Sequence, residues 1–294
     1  MSISYKTLRL KLDDGIATVT FDNPPVNVMS LLMMTELDGL FDGMIEDRGI
    51  RVIVFESADP EFFIAHGDMT VVDDPGAFIG LKIALDQNES LNPMMRLHEK
   101  LRSLPQLTIV KLRGIARGGG AEFVSAVDVR FGSEKARLAQ FEAPAGIIPG
   151  AGGTAYLPRL IGRARALEVV LGAELIDAHT AERWGWLNRV VADDQLDVVV
   201  DVFAHRVALL PGGVLEAAFD AIDSSSSMEA ALTAANKGLF QLFAKPATAA
   251  RARALLHAGA QTRDGELRLE ELWQGLDNST DAEAGDPHAT PSVV

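Results

Sequence analysis

Between Gly114 and Thr154 the chain twice sets a glutamate beside a glycine-rich turn, and no other feature restricts the fold as much. The first unit reads Arg117-Gly118-Gly119-Gly120-Ala121-Glu122. The second runs from Gln140-Phe141-Glu142 through Gly146-Ile147-Ile148-Pro149-Gly150-Ala151-Gly152-Gly153 to Thr154. Glycine lacks a Cβ, so its backbone N–H can be brought close to a bound group. A carboxylate a few residues away can move protons. Two such units point to an oxyanion site flanked by an acid–base pair. Each also has a plainer reading. Consecutive glycines make ordinary strand-to-helix turns. Glu122 in a first helical turn would complement the helix dipole, worth ~0.3–1 kcal/mol. Glu142 could be a surface carboxylate, as most glutamates are.

Two phosphate-binding readings of the glycine run fail on detail. No Lys-Ser or Lys-Thr follows Gly120, as a phosphate loop requires. A dinucleotide turn wants glycine three residues after Gly119, where this chain has Glu122. A helix N-terminus beside bare N–H groups still favours a developing anion.

The surrounding pattern is α/β. Residues 5–21 read as two strands, with Leu8, Leu10 and Leu12 alternating and a turn at Asp13-Asp14-Gly15. Ser30 predicts a helix cap, and Leu32, Leu37, Leu40 and Phe41 its buried face. Ile50–Phe55 and Leu107–Leu112 read as buried strands and Val127–Phe131 as a third strand. Ala65-His66-Gly67-Asp68 reads as a tight turn past the first of these, and residues 70–92 as a loop partly folded into helix. Helices are predicted at 93–104 and 121–126, then at 164–171, 178–184, 195–209, 228–243, 247–258 and 266–275. The division expected is a β-rich core over 1–195, a helical region over 196–277 and a disordered tail over 278–294.

Composition narrows the function classes. With 48% hydrophobic residues in 294, a large core forms without cross-links. The chain has no cysteine, which excludes disulfides, a thiol nucleophile and thiolate metal sites. A net charge of −14 disfavours nucleic acid and anionic membranes as partners. No apolar run is long enough to span a bilayer, and the N-terminal residues carry no export signal, so a cytoplasmic location is expected. His98, His179, His205, His257 and His288 form no metal-binding spacing, and no metal is expected. Met29, Met33, Met34, Met94 and Met95 read as packing residues, and His66 taken alone as a loop histidine.

Taken together, the motifs resemble the crotonase superfamily, and within it the enoyl-CoA hydratases. The resemblance spans about residues 10–260. It rests on Asn23-Pro24-Pro25-Val26-Asn27, Ala65-His66-Gly67-Asp68, Gly118-Gly119-Gly120-Ala121-Glu122, Glu142 with Gly146–Gly153, and Ala178–Val191. It implies an α/β fold, a crotonase-like spiral of ββα turns with a helical C-terminal trimerisation region, assembled as a homotrimer or dimer of trimers. It implies an acyl-CoA thioester as substrate, with coenzyme A part of that substrate and no separate cofactor. The family's oxyanion hole falls on the N–H groups of Gly67 and Gly119, and its two catalytic glutamates fall on Glu122 and Glu142. Ala65, His66, Asp68 and Gly118 flank these positions as substrate-binding residues. Having both glutamates implies hydration of a 2,3 double bond. Isomerase, decarboxylase or hydrolase chemistry on the same fold is the alternative, as is a non-catalytic acyl-CoA-binding oligomer.

The chain departs from the family pattern in three places. His66 stands where Ala-Gly-x-Asp has glycine; histidine adopts a left-handed backbone more readily than most residues. The Asn-Pro-Pro turn lacks the Lys or Arg that many members place near the CoA phosphates. No Lys or Arg follows Arg268, where the final helix normally ends in a basic cluster.

Overall fold

The computed structural model describes residues 5–72, 74–83, 91–223, 237, 241, 244–259 and 261. The chain forms β1 (Leu8–Asp13), β2 (Ile16–Phe21), α1 (Leu31–Glu46), β3 (Val52–Ser57), β4 (Phe62–Ile64), α2 (Pro75–Ile79), α3 (Pro93–Arg102), β5 (Leu107–Leu112), β6 (Ile115–Arg117) and α4 (Gly119–Ala126). It continues with β7 (Val129–Ser133), β8 (Arg137–Ala139), α5 (Gly153–Ile161), α6 (Arg163–Gly172), β9 (Ile176–Asp177), α7 (Ala178–Trp184), β10 (Arg189–Val191), α8 (Leu196–Ala208), α9 (Val214–Asp223) and α10 (Pro246–Ala258).

Two sheets share the strands in alternation. One has the order β1-β2-β3-β5-β7-β10 and the other β4-β6-β8-β9. Successive pairs β3/β4, β5/β6 and β7/β8 therefore give one strand to each sheet, and a helix follows each pair. From β2 to β10 the neighbours in the larger sheet are parallel. β1 closes its edge as an antiparallel hairpin with β2. The two-residue turn has Asp14 at φ 44° and Gly15 at φ 77°, the left-handed pair that matches the strand twist.

Several sequence expectations need correction. On the edge strand β1 only Leu8 enters the core; Leu10 and Leu12 are 36% and 57% exposed. Ser30 caps α1, its hydroxyl accepting from the Met33 N–H at 3.2 Å. The buried stripe is Met33, Met34, Leu37, Leu40, Phe41 and Met44, while Leu32 is 45% exposed. Leu32 precedes Leu37 by five positions, and at about 100° per residue that rotates it off the stripe. In the 70–92 segment a short 3-10 turn (Met69–Val72) precedes α2, which Asp74 caps. The predicted helices at 228–243 and 266–275, residues 237 and 241 aside, and the predicted tail at 278–294 lie outside the described residues.

The backbone divides into two compact units, Met1–Ala208 and Leu209–Val294. Every residue of the site described below belongs to the first. Its core is centred on Phe21, Phe55, Phe63 and Phe123, all buried. Phe123 meets Phe55 edge-on at 5.1 Å and Phe21 at 5.4 Å between centroids. Each such ring contributes roughly 1.5–3 kcal/mol by burial. Phe123 sits on α4 directly after Glu122, so this cluster anchors the helix that carries the first glutamate. Among the described residues no helix is long and apolar enough to cross a membrane.

Candidate active site

The two glycine turns lie side by side because β4 and β6 are parallel neighbours, with Phe62 opposite Ile115 and Ile64 opposite Ala116. Each strand runs straight into its turn. Past β4, the Met29 N–H donates to the His66 carbonyl at 2.9 Å, and the Asp68 N–H donates to the Met29 carbonyl at 3.2 Å. In a parallel bridge of this kind the residue between the two bonded ones turns its own N–H the opposite way. That residue is Gly67. Past β6, Gly119 opens α4, and a first-turn N–H has no acceptor within its helix. A Cβ on Gly119 would stand 3.3 Å from Gly67 N and 3.3 Å from Met94 Sδ, which shows how closely the two turns approach. A Cβ on Gly120 would collide with the Ile64 carbonyl. Among the described residues neither the Gly67 nor the Gly119 N–H meets an acceptor.

His66 does not use the left-handed backbone, because its φ is not positive. Its ring Nδ1 lies 2.7 Å from the Gly67 carbonyl, and its ring edge faces Phe141 at 5.6 Å. The Met29 bridge sets the turn geometry, so histidine is accommodated where the family has glycine.

Glu122 does stand in the first turn of α4, as the helix-dipole reading has it, but it is also buried, and Glu142 is not a surface carboxylate. Glu122 is 2% exposed. Its Oε1 accepts from the N–H groups of Ala151 and Gly153, both at 2.7 Å. Burial pushes its pKa up to about 7. The two N–H groups oppose that rise and the charge of Glu142 adds to it. A Cβ on Gly153 would lie 2.9 Å from Glu122 Oε1, so the segment reaches the carboxylate only as glycine. Glu142 begins the 3-10 turn Ala143–Ala145 and is 8% exposed. Its Oε2 is buried without a partner among the described residues, and burial raises its pKa as well.

One cavity of about 570 Å³ joins these groups. Gly67, Gly119, Glu122 and Glu142 all line it. The rest of the wall is mainly apolar, with Met29, Leu31, Met34, Phe78, Met94, Phe141, Ile147 and Ile148. Met29, Met33 and Met34 are buried, as expected of packing residues, but Met29, Met34 and Met94 also face the cavity. Of the flanking positions, Asp68 lines it, while its Oδ1 accepts from the Thr70 N–H at 2.9 Å. Ala65, His66 and Gly118 are not on the wall. The Ala65 N–H donates to the Val26 carbonyl and the Gly118 N–H to the Ala139 carbonyl, so both support the turns from behind. Among the described residues no group of histidines and carboxylates could hold a metal ion.

Sequence reasoning passed over two contributors. Phe141 carries the His66 ring and part of the cavity wall; its place next to Glu142 was the available signal. His98 is fully buried, with Nδ1 at 2.8 Å from the Ala151 carbonyl. Its only signal was its position on the inner face of α3, one residue after Leu97.

Comparison with known proteins identifies the family. The family described as enoyl-CoA hydratase/isomerase matches residues 11–262. A Bacillus subtilis protein named "Probable enoyl-CoA hydratase" is 33% identical over 192 residues, covering 65% of this chain and 71% of that protein. A Clostridium acetobutylicum protein named "Short-chain-enoyl-CoA hydratase" is 28% identical over 199 residues, covering 67% of this chain and 74% of that protein. A solved Streptomyces avermitilis structure, provisionally described as an enoyl-CoA hydratase, is 44% identical with a TM-score of 0.72, covering 95% of this chain and all of that one. The alternating strand pairs are the ββα turns of the crotonase fold, and the chain belongs to the enoyl-CoA hydratase/isomerase family.

Proposed function

We propose that this protein adds water across the 2,3 double bond of an enoyl-CoA thioester to give a 3-hydroxyacyl-CoA. The observation that carries the reading is the meeting in one apolar cavity of two N–H donors without an acceptor among the described residues and two buried glutamates. The Gly67 and Gly119 N–H groups polarise the thioester carbonyl, which makes C3 electrophilic. Glu122, as carboxylate, takes a proton from a water that attacks C3. Its Oε1 is held by the two N–H groups of Ala151 and Gly153, so Oε2 is the oxygen left to orient that water. The electron pair of the double bond moves onto the carbonyl oxygen as an enolate, between the two donors. Glu142 then delivers a proton to C2. Adding water uses two acids, one on the water and one on C2, which favours this reading, whereas a double-bond shift requires one to carry a proton between carbons. A panel of short enoyl-CoA thioesters, followed by loss of the conjugated thioester absorbance, tests the reading. No turnover with any chain length would end it.

The pH dependence follows from the shared proton. The mechanism needs one proton on the pair, carried by Glu142 in the reacting form, and burial together with the Glu142 charge lets the pair keep that last proton up to about pH 7. Above that both carboxyls are charged and no acid remains. We expect kcat/KM to fall about tenfold per pH unit above about 7, with an apparent pKa that belongs to the pair. Bound acyl chain removes more water from the site, so kcat should decline at a higher pH than kcat/KM. A kcat/KM flat from about pH 6 to 9 would contradict this assignment.

The same reading includes assembly as a homotrimer or dimer of trimers. Leu167, Leu171 and Leu175 on and after α6, and Val198 and Val202 on α8, are all 40% or more exposed, which supports a subunit interface. Light scattering should give the mass of three or six chains. A clean monomer at working concentration would refute it.

A further inference from the structure

We propose that His98 is a positioning residue for Glu122: its Nδ1–H holds the Ala151 carbonyl and so keeps the Ala151 and Gly153 N–H groups aimed at the carboxylate. The inference rests on the reading of Glu122 as the base.

The segment Gly150-Ala151-Gly152-Gly153 has three glycines in four residues, and Gly152 stands at φ 106°. A backbone of this composition has many accessible conformations. Only some of them point both N–H groups at one oxygen. The structure holds the segment from outside at two consecutive carbonyls, through the cap and the body of α3. Asn92 Nδ2 donates to the Gly150 carbonyl at 2.7 Å. His98 Nδ1 lies 2.8 Å from the Ala151 carbonyl. The peptide that His98 holds is Ala151–Gly152, which lies between the two donors to Glu122. Rotation of that peptide would withdraw one of them.

The carbonyl can only accept, so Nδ1 carries the hydrogen. Nε2 is buried and has no partner among the described residues. Burial also lowers the His98 pKa to about 4, so the ring stays neutral with a single N–H. Phe123, which meets the ring edge-on at 5.7 Å, fixes its plane. A buried nitrogen with no partner costs stability. A packing role would be met at lower cost by an apolar side chain of similar size. The cost is offset only if the Nδ1–H is needed where it is.

The test measures the Glu122 titration directly, by carboxyl carbon NMR, with Glu122→Gln to assign the signal. The titratable neighbours are Glu142 and Tyr156, which both couple to Glu122. Neither is altered by the variants. His98→Leu removes the N–H, and the Glu122 midpoint should rise by about one pH unit as the ionised form loses donors. In the hydratase assay kcat should fall at least about tenfold, with the alkaline limb displaced in the same direction. His98→Asn retains an N–H near the Nδ1 position and should restore both values. An unchanged Glu122 midpoint in folded His98→Leu would overturn the proposal. If that variant does not fold, the imidazole nitrogen spectrum of the unaltered protein decides instead. A hydrogen on Nδ1 from pH 5 to 9 is the expected result, and a hydrogen on Nε2 would overturn it. The titration needs no turnover, so an inactive protein with a shifted Glu122 midpoint in His98→Leu would sink the hydratase reading alone, whereas an active protein with an unchanged midpoint would sink this inference alone.

Discussion

Glutamine at position 122 should inactivate the protein and stabilise it in the same stroke. The amide keeps an oxygen for the Ala151 and Gly153 N–H groups but cannot take a proton from water. We expect kcat to fall by ~10²–10⁴. The stability effect follows from linkage. The Glu122 pKa is about 7 in the fold against an ordinary 4.5, so the native state holds the proton more tightly than the unfolded chain. Stability from this group is therefore full below pH 4.5, declines as pH rises from there, and is gone above about 7. At about 1.4 kcal/mol per pKa unit, ionising the buried group costs roughly 3 kcal/mol at most. Glu122→Gln escapes that cost. It should be more stable than the unaltered protein by about 1–3 kcal/mol at pH 8 and close to it at pH 4.5. Denaturant melts at the two pH values, beside the hydratase assay, check both halves. Near-normal turnover would remove Glu122 from the mechanism. A variant less stable at pH 8 than the parent would show that the carboxylate is not penalised by burial.

Gly119→Pro should lower kcat by at least ~10², the scale for loss of one oxyanion donor. Proline at the first position of a helix is well tolerated, because the N–H it lacks has no helical acceptor there. The fold of α4 should therefore survive, and circular dichroism would check it. The added ring presses on Met94 Sδ and Gly67 N, each 3.3 Å from where a Cβ on residue 119 would stand. Met94 is a flexible side chain and can yield. An active Gly119→Pro protein would refute the role of that N–H.

The chain announced some parts of this architecture and hid others. Strand β3 was legible because its short apolar run, broken by one charge, needs burial on both faces, and β5 and β7 were legible from their β-branched and aromatic residues. Helix α1 was legible from Ser30 and its periodic stripe. The second sheet was not, since β6, β8 and β9 have only two or three residues and carry no period to read. Yet β6 is the strand that delivers Gly119. The two glutamates were found by their glycine neighbours, not by any sign of burial; single-residue burial is a property of packing. His98 escaped for the same reason. Its partner is a backbone carbonyl 53 positions away, and no local pattern encodes such a contact.

The parallel pairing of β4 with β6 has a consequence for divergence. The gap between the Gly67 and Gly119 amides is set by main-chain bonding between two strands and by the Met29 bridge, with no side chain in either link. The cavity wall, by contrast, is made of side chains such as Leu31, Phe78 and Ile148 on other segments. Under the proposed mechanism, substitutions in that wall would retune which acyl chain fits and leave the two amides untouched. On that reading selectivity and activation are inherited separately, and one can drift without dragging the other.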